Sequence, residues 1–179
     1  MIKIVQKEDK VLRKIAKEIK VSEIDTPKIK KIISDMKKAL DAQYDGVAIA
    51  APQIGESVRI FVVSGKIFDE DFKEDSNHKK HVKKHDDLVF INPKITKMSK
   101  EKNFLPEGCL SVRWLYGNVN RAMKATVEAR DEHGKKFTRG GSGLLAQIFQ
   151  HETDHLDGTL FIDKAKDIEE MIPQDLKRE

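Results

Sequence analysis

The order of patterns along the chain predicts an α+β fold, with mostly antiparallel sheets wrapped around one central helix. Three observations carry this expectation. A helix-spaced apolar run comes early, short β-branched and alternating runs fill the middle, and a well-terminated apolar helix lies near the end. At 179 residues, one domain spanning 1–179 is the natural count, and no internal repeat is visible.

Taken in order, Asp25-Thr26-Pro27 reads as a helix start, because proline fits the first helical position. Ile29, Ile32, Ile33, Met36 and Leu40 follow at helical spacing. Residues 58–63 and 88–91 are short β-branched runs, expected as strands. Between them, residues 66–87 hold six Lys and seven Asp or Glu and few apolar side chains. His78, His81 and His85 there could be read as a second metal site. The near-cancelling charge and scarce apolar content favour a mobile surface insertion instead. Residues 124–130 alternate, and Asp131-Glu132-His133-Gly134 reads as a hairpin turn into residues 135–138. Gly140-Gly141-Ser142-Gly143 lacks the lysine of a phosphate loop and reads as a turn entering the last helix. In the tail, Ile168, Met171, Ile172 and Leu176 keep a roughly helical spacing broken by Pro173, which predicts a partial helix.

That last helix carries His151-Glu152-Thr153-Asp154-His155. Two imidazoles four residues apart with a glutamate beside the first is how one helix holds a divalent metal and a general base. At about 100° per residue, Leu144, Ile148, His151 and His155 share one narrow stripe. Leu145, Phe149 and Leu156 form a second apolar stripe, Glu152 lies between the two, and Ala146, Gln150 and Thr153 point the other way. Ser142 is the expected N-cap and Gly158 the expected C-terminal glycine. Both histidines therefore leave the helix on its buried side.

Two imidazoles need a further protein ligand. A third His six residues beyond the second would mark one protease class, but that place is Phe161. A glutamate from a later helix would mark another, yet Glu169, Glu170 and Glu179 lie in a short polar tail. The remaining candidate is Cys109, the only cysteine, in Pro106-Glu107-Gly108-Cys109-Leu110-Ser111. A lone cysteine is by default a small buried hydrophobe; beside a His pair short of a ligand, that default reverses.

The sequence resembles the peptide deformylases. Gly46-Val47-Ala48-Ile49-Ala50-Ala51-Pro52-Gln53, Glu107-Gly108-Cys109-Leu110-Ser111 and Gln150-His151-Glu152-Thr153-Asp154-His155-Leu156 match that family's three motifs in order. Val11-Leu12-Arg13-Lys14-Ile15-Ala16 and Gly158-Thr159-Leu160-Phe161-Ile162-Asp163 extend the likeness over almost the whole chain. The pattern departs at Ala48, where the family usually has Gly, and at Arg113, where it usually has Pro.

The resemblance implies that Cys109, His151 and His155 hold one divalent metal per chain, leaving a fourth position for water. Ferrous iron would be the cellular metal; zinc, nickel or cobalt suit the same donors. Glu152 would be the general acid–base, and the Gln53 side chain and Leu110 backbone N–H would hold the developing oxyanion. Taken alone, Gln53 is a loop residue bonded to its own backbone. The substrate would be the N-formylmethionyl end of a nascent peptide, paired as an added strand along Val47 and Gly108. Leu144 and Ile148 could line its methionine pocket, a role compatible with ordinary helix core. Glu107 and Arg121 would form an ion pair bracing the cysteine loop.

Composition supports a cytosolic enzyme and decides little else; the resemblance implies the bacterial cytoplasm. No apolar run approaches the length needed to span a bilayer, and Met1-Ile2-Lys3-Ile4-Val5-Gln6 has no signal-peptide pattern. One cysteine precludes an internal disulfide. A net charge of +4, from 34 basic and 30 acidic residues, permits transient ribosome contact without arguing for a dedicated nucleic-acid site. Two other classes stay open: an endopeptidase with a different third ligand, and a non-catalytic peptide binder with a structural metal.

Overall fold

A computed structural model of the chain describes residues 2–73 and 83–173. The first helix, α1 (Pro27–Asp41), starts with Pro27 in its first turn after the cap residue Thr26. It buries Ile29, Ile32, Ile33, Met36 and Leu40, the stripe expected from their spacing. Strands β1 (Ala48–Ala50), β2 (Ile60–Val63), β3 (Leu88–Met98), β4 (Lys102–Gly108), β5 (Leu115–Ala122), β6 (Lys124–Arg130) and β7 (Lys136–Ser142) follow. The second helix, α2 (Leu144–Leu156), comes next, and the last strand is β8 (Lys166–Glu170).

The strands form two sheets, ordered β1-β2-β3-β6-β7 and β4-β5-β8, with every pairing antiparallel. The expected hairpin joins β6 to β7, with Arg130 paired to Lys136 across a turn whose Gly134 has φ +80. Helix α1 packs on one part of the five-stranded sheet through Ile33, Met36 and Leu40 against Ile49, Ile60 and Val62. Phe61, Phe90, Val127 and Ala129 pack instead against Ala146, Phe149 and Leu156 of α2. Phe61 stacks on Phe90 with ring centroids 4.5 Å apart, and Phe149 meets Phe90 edge-on at 5.3 Å.

Helix α2 also touches β5 of the smaller sheet, so it is enclosed from both sides. The face carrying Ala146 and Gln150, expected to point away from the buried side, is therefore itself buried. Gln150 satisfies its amide there by accepting from Ala122 N–H and donating to Ala122 O, both at 3.0 Å.

Three local expectations need correction. Ser142 ends β7 rather than capping α2; Gly143, at φ +55, is the cap residue. Gly140 and Gly141 belong to β7 rather than to a turn. A Cβ on Gly141 would lie 2.8 Å from Leu145 Cγ, so the glycine allows strand and helix to approach closely. Lys166–Glu170 of the tail form β8 on the edge of β5, with Leu115 opposite Glu170, where the spacing predicts a partial helix; Leu176 lies outside the described residues. The open backbone of that edge outweighs a weak helical spacing. Gly158 does end α2, with φ +74.

Of the charged segment, residues 66–73 and 83–87 are described, and His78 and His81 lie outside them. Lys66 is buried and donates to Tyr44 O at 3.0 Å, while Lys83 meets Asp41 at 2.7 Å. Among the described residues, no helix is long and apolar enough to cross a membrane.

Phe90 touches three other rings, counting Phe137 at 5.3 Å. Phe90→Ala is expected to cost about 3–5 kcal/mol of stability through lost transfer energy and a residual cavity. Urea unfolding measures it, and a loss below about 1 kcal/mol would mean the ring cluster is not a tightly packed core.

Candidate metal centre

Three elements that are distant in sequence converge on one groove. Beyond the end of β4 the chain turns through Cys109 and Leu110, with Val112 N–H returning to Cys109 O at 3.0 Å. Helix α2 presents His151 and His155 one turn apart, their ring centroids 5.0 Å from each other. Cys109 Sγ lies 3.2 Å from His155 Nε2. One donor atom from each of Cys109, His151 and His155 falls within 4.8 Å of the others, so this group could hold a metal ion. Glu169 and Glu170, weighed as alternative ligands, sit on the exposed strand β8.

The ring of His151 is oriented by a buried charge network. Its Nδ1–H donates to Glu107 Oε2 at 2.9 Å, which turns Nε2 toward the groove. Glu107 also accepts from Arg121 Nε and Nη2 at 2.7 and 2.9 Å, a bidentate pair. Burial would raise the Glu107 carboxyl, but the Arg121 and His151 bonds outweigh it and hold the group at about 2. Arg121 in turn donates to Asp154 at 2.7 Å, and Asp154 receives Lys164 at 2.6 Å. The expected ion pair is thus one link of a chain running from a histidine to the surface.

Glu152 is fully enclosed, and burial is the main cause that lifts its carboxyl to about 7. Glu107 adds to the rise, while His151 and Arg121 oppose it. Its Oε2 has no hydrogen-bond partner among the described residues, and neither has His155 Nδ1. An unpaired carboxylate oxygen beside a convergent thiol and two imidazoles is what a hydrolytic metal site needs and a closed structural one does not. His155 is held well below its ordinary value by burial, which favours the neutral ring that binds metals.

Gln53 stands in a short turn of 3₁₀ helix, Ala51–Ile54, next to β1. Its Oε1 accepts from Ala50 N–H at 2.8 Å, so the backbone bond expected of an ordinary loop residue is present. The same bond directs Nε2 toward Ser111 Oγ at 3.1 Å and Cys109 Sγ at 3.5 Å. The groove encloses about 300 Å³. One wall includes Val47 and Gln53, the other Gly108 and Leu110, and α2 contributes Leu144, Ile148, His151 and Glu152. Ile148 is buried, whereas Leu144 is 43% exposed at the rim.

Three contributors carry no role in the sequence reading, Ser111 and Asp154 inside the matched motifs and Gln147 outside them. Ser111 receives the Gln53 amide, and Asp154 anchors Arg121. Gln147 donates to Pro106 O at 2.9 Å, tying α2 to β4. None shows a periodicity signal, because each acts through partners remote in sequence.

The chain matches the family model described as polypeptide deformylase over residues 1–171. A peptide deformylase of Carboxydothermus hydrogenoformans is 42% identical over 166 residues, covering 93% of this chain and 94% of that one. Peptide deformylase 2 of Clostridium acetobutylicum is 38% identical over 156 residues, covering 87% and 89%. Among solved structures, a peptide deformylase from Synechococcus elongatus in complex with actinonin aligns with a TM-score of 0.78 at 31% identity, covering 93% and 81%. A class I type b peptide deformylase from Acinetobacter baumannii aligns with a TM-score of 0.75 at 28% identity, covering 90% and 97%. Two antiparallel sheets enclosing the His-bearing helix, and a match that runs from the first residue to the last described strand, place this chain in the polypeptide deformylase family.

Proposed function

We propose that Cys109, His151, His155, Glu152, Gln53 and Leu110 together carry out this family's reaction on N-formylmethionyl nascent peptides. That reaction is hydrolysis of the formyl amide at the N-terminus of a newly made polypeptide, releasing formate. The observation that carries the assignment is the convergence of the Cys109 sulfur with two histidine nitrogens beside a buried carboxylate. A divalent ion held by these three residues would supply a Lewis acid and acidify a water toward neutral pH.

The side chains of the chain do the rest. Glu152, raised to about 7, can take a proton from the attacking water and return it to the leaving amine. Gln53 Nε2–H and Leu110 N–H are the donors for the oxygen that turns negative as the formyl carbon becomes tetrahedral. Val47 and Gly108, on facing walls, suit pairing with an extended peptide main chain, and Ile148 with Leu144 gives an apolar seat for the methionine. Main-chain pairing leaves later residues loosely specified, as an enzyme acting on many different chains requires. Ferrous iron is the metal we assign in the cell, with zinc, nickel or cobalt accepted by the same thiolate and imidazoles. The setting is the bacterial cytoplasm, with transient contact at the ribosome.

Formate release from a formyl-Met peptide tests the assignment. Glu152→Ala is expected to lower kcat by about 10²-fold or more while the protein keeps its metal. Cys109→Ala is expected to lose the metal itself. Cleavage of internal peptide bonds with no formate released would transfer the chain to the endopeptidase class, and turnover retained in Glu152→Ala would refute the general base.

Protein prepared without oxygen is expected to be more active per bound metal than protein prepared in air, because an iron-bound thiolate oxidises. Equal activity per metal after both treatments would exclude iron as the working metal.

Glu107 sits at about 2 when folded against an ordinary value of 4.5. A carboxylate depressed in this way contributes stability that is fully present above its unfolded value and disappears as pH falls through its folded one. On the order of 3 kcal/mol is therefore expected to be lost between pH 4.5 and 2. Urea unfolding of the wild type and Glu107→Gln at about pH 6 and about pH 3, where about 2 kcal/mol of that loss is already expected, measures it. An equal acid loss in both proteins would mean that other groups cause it.

A further inference from the structure

The two walls of the groove belong to different sheets. Val47 precedes β1 of the larger sheet, and Gly108 ends β4 of the smaller one. They come together near Gly46, where an added Cβ would lie 3.2 Å from Leu110 Cδ1. At this same end Arg113, from the cysteine loop, reaches Asp45, from the loop between α1 and β1, and both line the groove. The contact is bidentate. Arg113 Nη1 pairs with Asp45 Oδ2, Nη2 donates to Asp45 Oδ1 at 3.0 Å, and Nη2 also reaches Gln43 Oε1 at 3.2 Å. The guanidinium carbon lies 4.6 Å from the centre of the Trp114 ring, which limits its freedom.

We infer that Arg113 and Asp45 form an ionic clasp joining the two walls of the groove, and that this clasp sets how well a peptide is captured. The inference rests on the deformylase reading of the groove. A peptide added as a strand needs its two edges at a fixed separation, and backbone hydrogen bonds weaken steeply when that spacing drifts. Within each wall, sheet pairing fixes the backbone; between the walls at this end, a side-chain bridge does so. Arg113 is suited to the task because a bidentate guanidinium fixes direction as well as distance.

The catalytic groups are held by bonds that do not use the Arg113 or Asp45 side chains, although Gln6 also accepts from Arg113 backbone N–H at 3.4 Å. Gln53 is fixed by Ala50 and Ser111, and the Leu110 carbonyl by Gln6 Nε2 at 3.1 Å. Loss of the clasp should therefore act on KM and spare kcat. Arg113 and Asp45 are positioning residues, touching neither the reacting atoms nor the metal ligands.

Steady-state formate release by the metal-loaded enzyme tests this with formyl-Met-Ala-Ala and formyl-Met alone. Arg113→Gln and Asp45→Asn are each expected to raise KM for the tripeptide about 3- to 10-fold while kcat stays within about twofold. Formyl-Met alone, which barely extends along the edges, should be little affected. The exchanged pair Asp45→Arg with Arg113→Asp should recover most of the lost KM, as a loop that merely needs any local contact would not. An unchanged tripeptide KM in both single variants overturns the clasp, and so does an exchange that restores nothing. If the exchanged protein does not fold, Asp45→Asn decides alone, since it keeps the shape and removes the charge. No formate release by the wild type would instead defeat the catalytic assignment and is distinguishable from either result.

Discussion

The site depends on one buried carboxylate, Glu107, being kept ionised between Arg121 and His151. Each of the three comes from a different element: Glu107 from β4, Arg121 from β5, His151 from α2. Their bonds therefore fix the helix against the smaller sheet and the imidazole against both. Burying charges is expensive, and apolar side chains of equal volume could hold the same elements together as well or better. Orientation is what they could not supply. A histidine whose Nδ1–H is committed to a carboxylate has one tautomer and one ring plane, and its Nε2 lone pair then points where a metal ligand must. Asp154 and Lys164 extend the chain outward, so that Arg121 faces two carboxylates and Asp154 ends against a half-exposed lysine.

Much of this was legible in the sequence because it is encoded by spacing. The stripe of α1, the β6–β7 hairpin and the helical His pair each follow a period fixed by backbone geometry. What was misread has a common cause. Ala146 and Gln150 were assigned to the far side of α2, since a helical wheel shows two faces without showing that a second sheet covers the other one. Gly140 and Gly141 look like a turn by residue type, but they mark the closest approach of strand to helix, a property of the partner side chains Leu145 and Phe149. Lys166–Glu170 became a strand because β5 offered it an edge. Ser111 and Gln147 have roles created only when chain segments remote in sequence meet.

The enclosure that concealed those features also sets the state of the Glu152 carboxyl. A carboxyl on a solvated helix titrates near its ordinary value and is a poor proton carrier at neutral pH. Here α2 packs against both sheets, and burial lifts the group to about 7, the range that the proton carrier we propose requires. That benefit demands compensation wherever else the helix is polar. Gln150 must then find all its partners in the backbone of Ala122 and Ala146, and His151 its own in Glu107.

A helix buried between two sheets also constrains the groove above it. Sheet hydrogen bonding makes each wall rigid internally but does not cross from one sheet to the other, so relative wall position falls to side chains and loops. Gln147 ties α2 to β4 from below, and Arg113 reaches Asp45 at the end where Gly46 meets Leu110. The spacing of the Cys109, His151 and His155 donors is set by one turn of helix and one tight loop. Wall spacing is set by partly buried polar contacts outside that cluster. An arginine can accordingly stand at position 113 without disturbing the Cys109, His151 and His155 cluster.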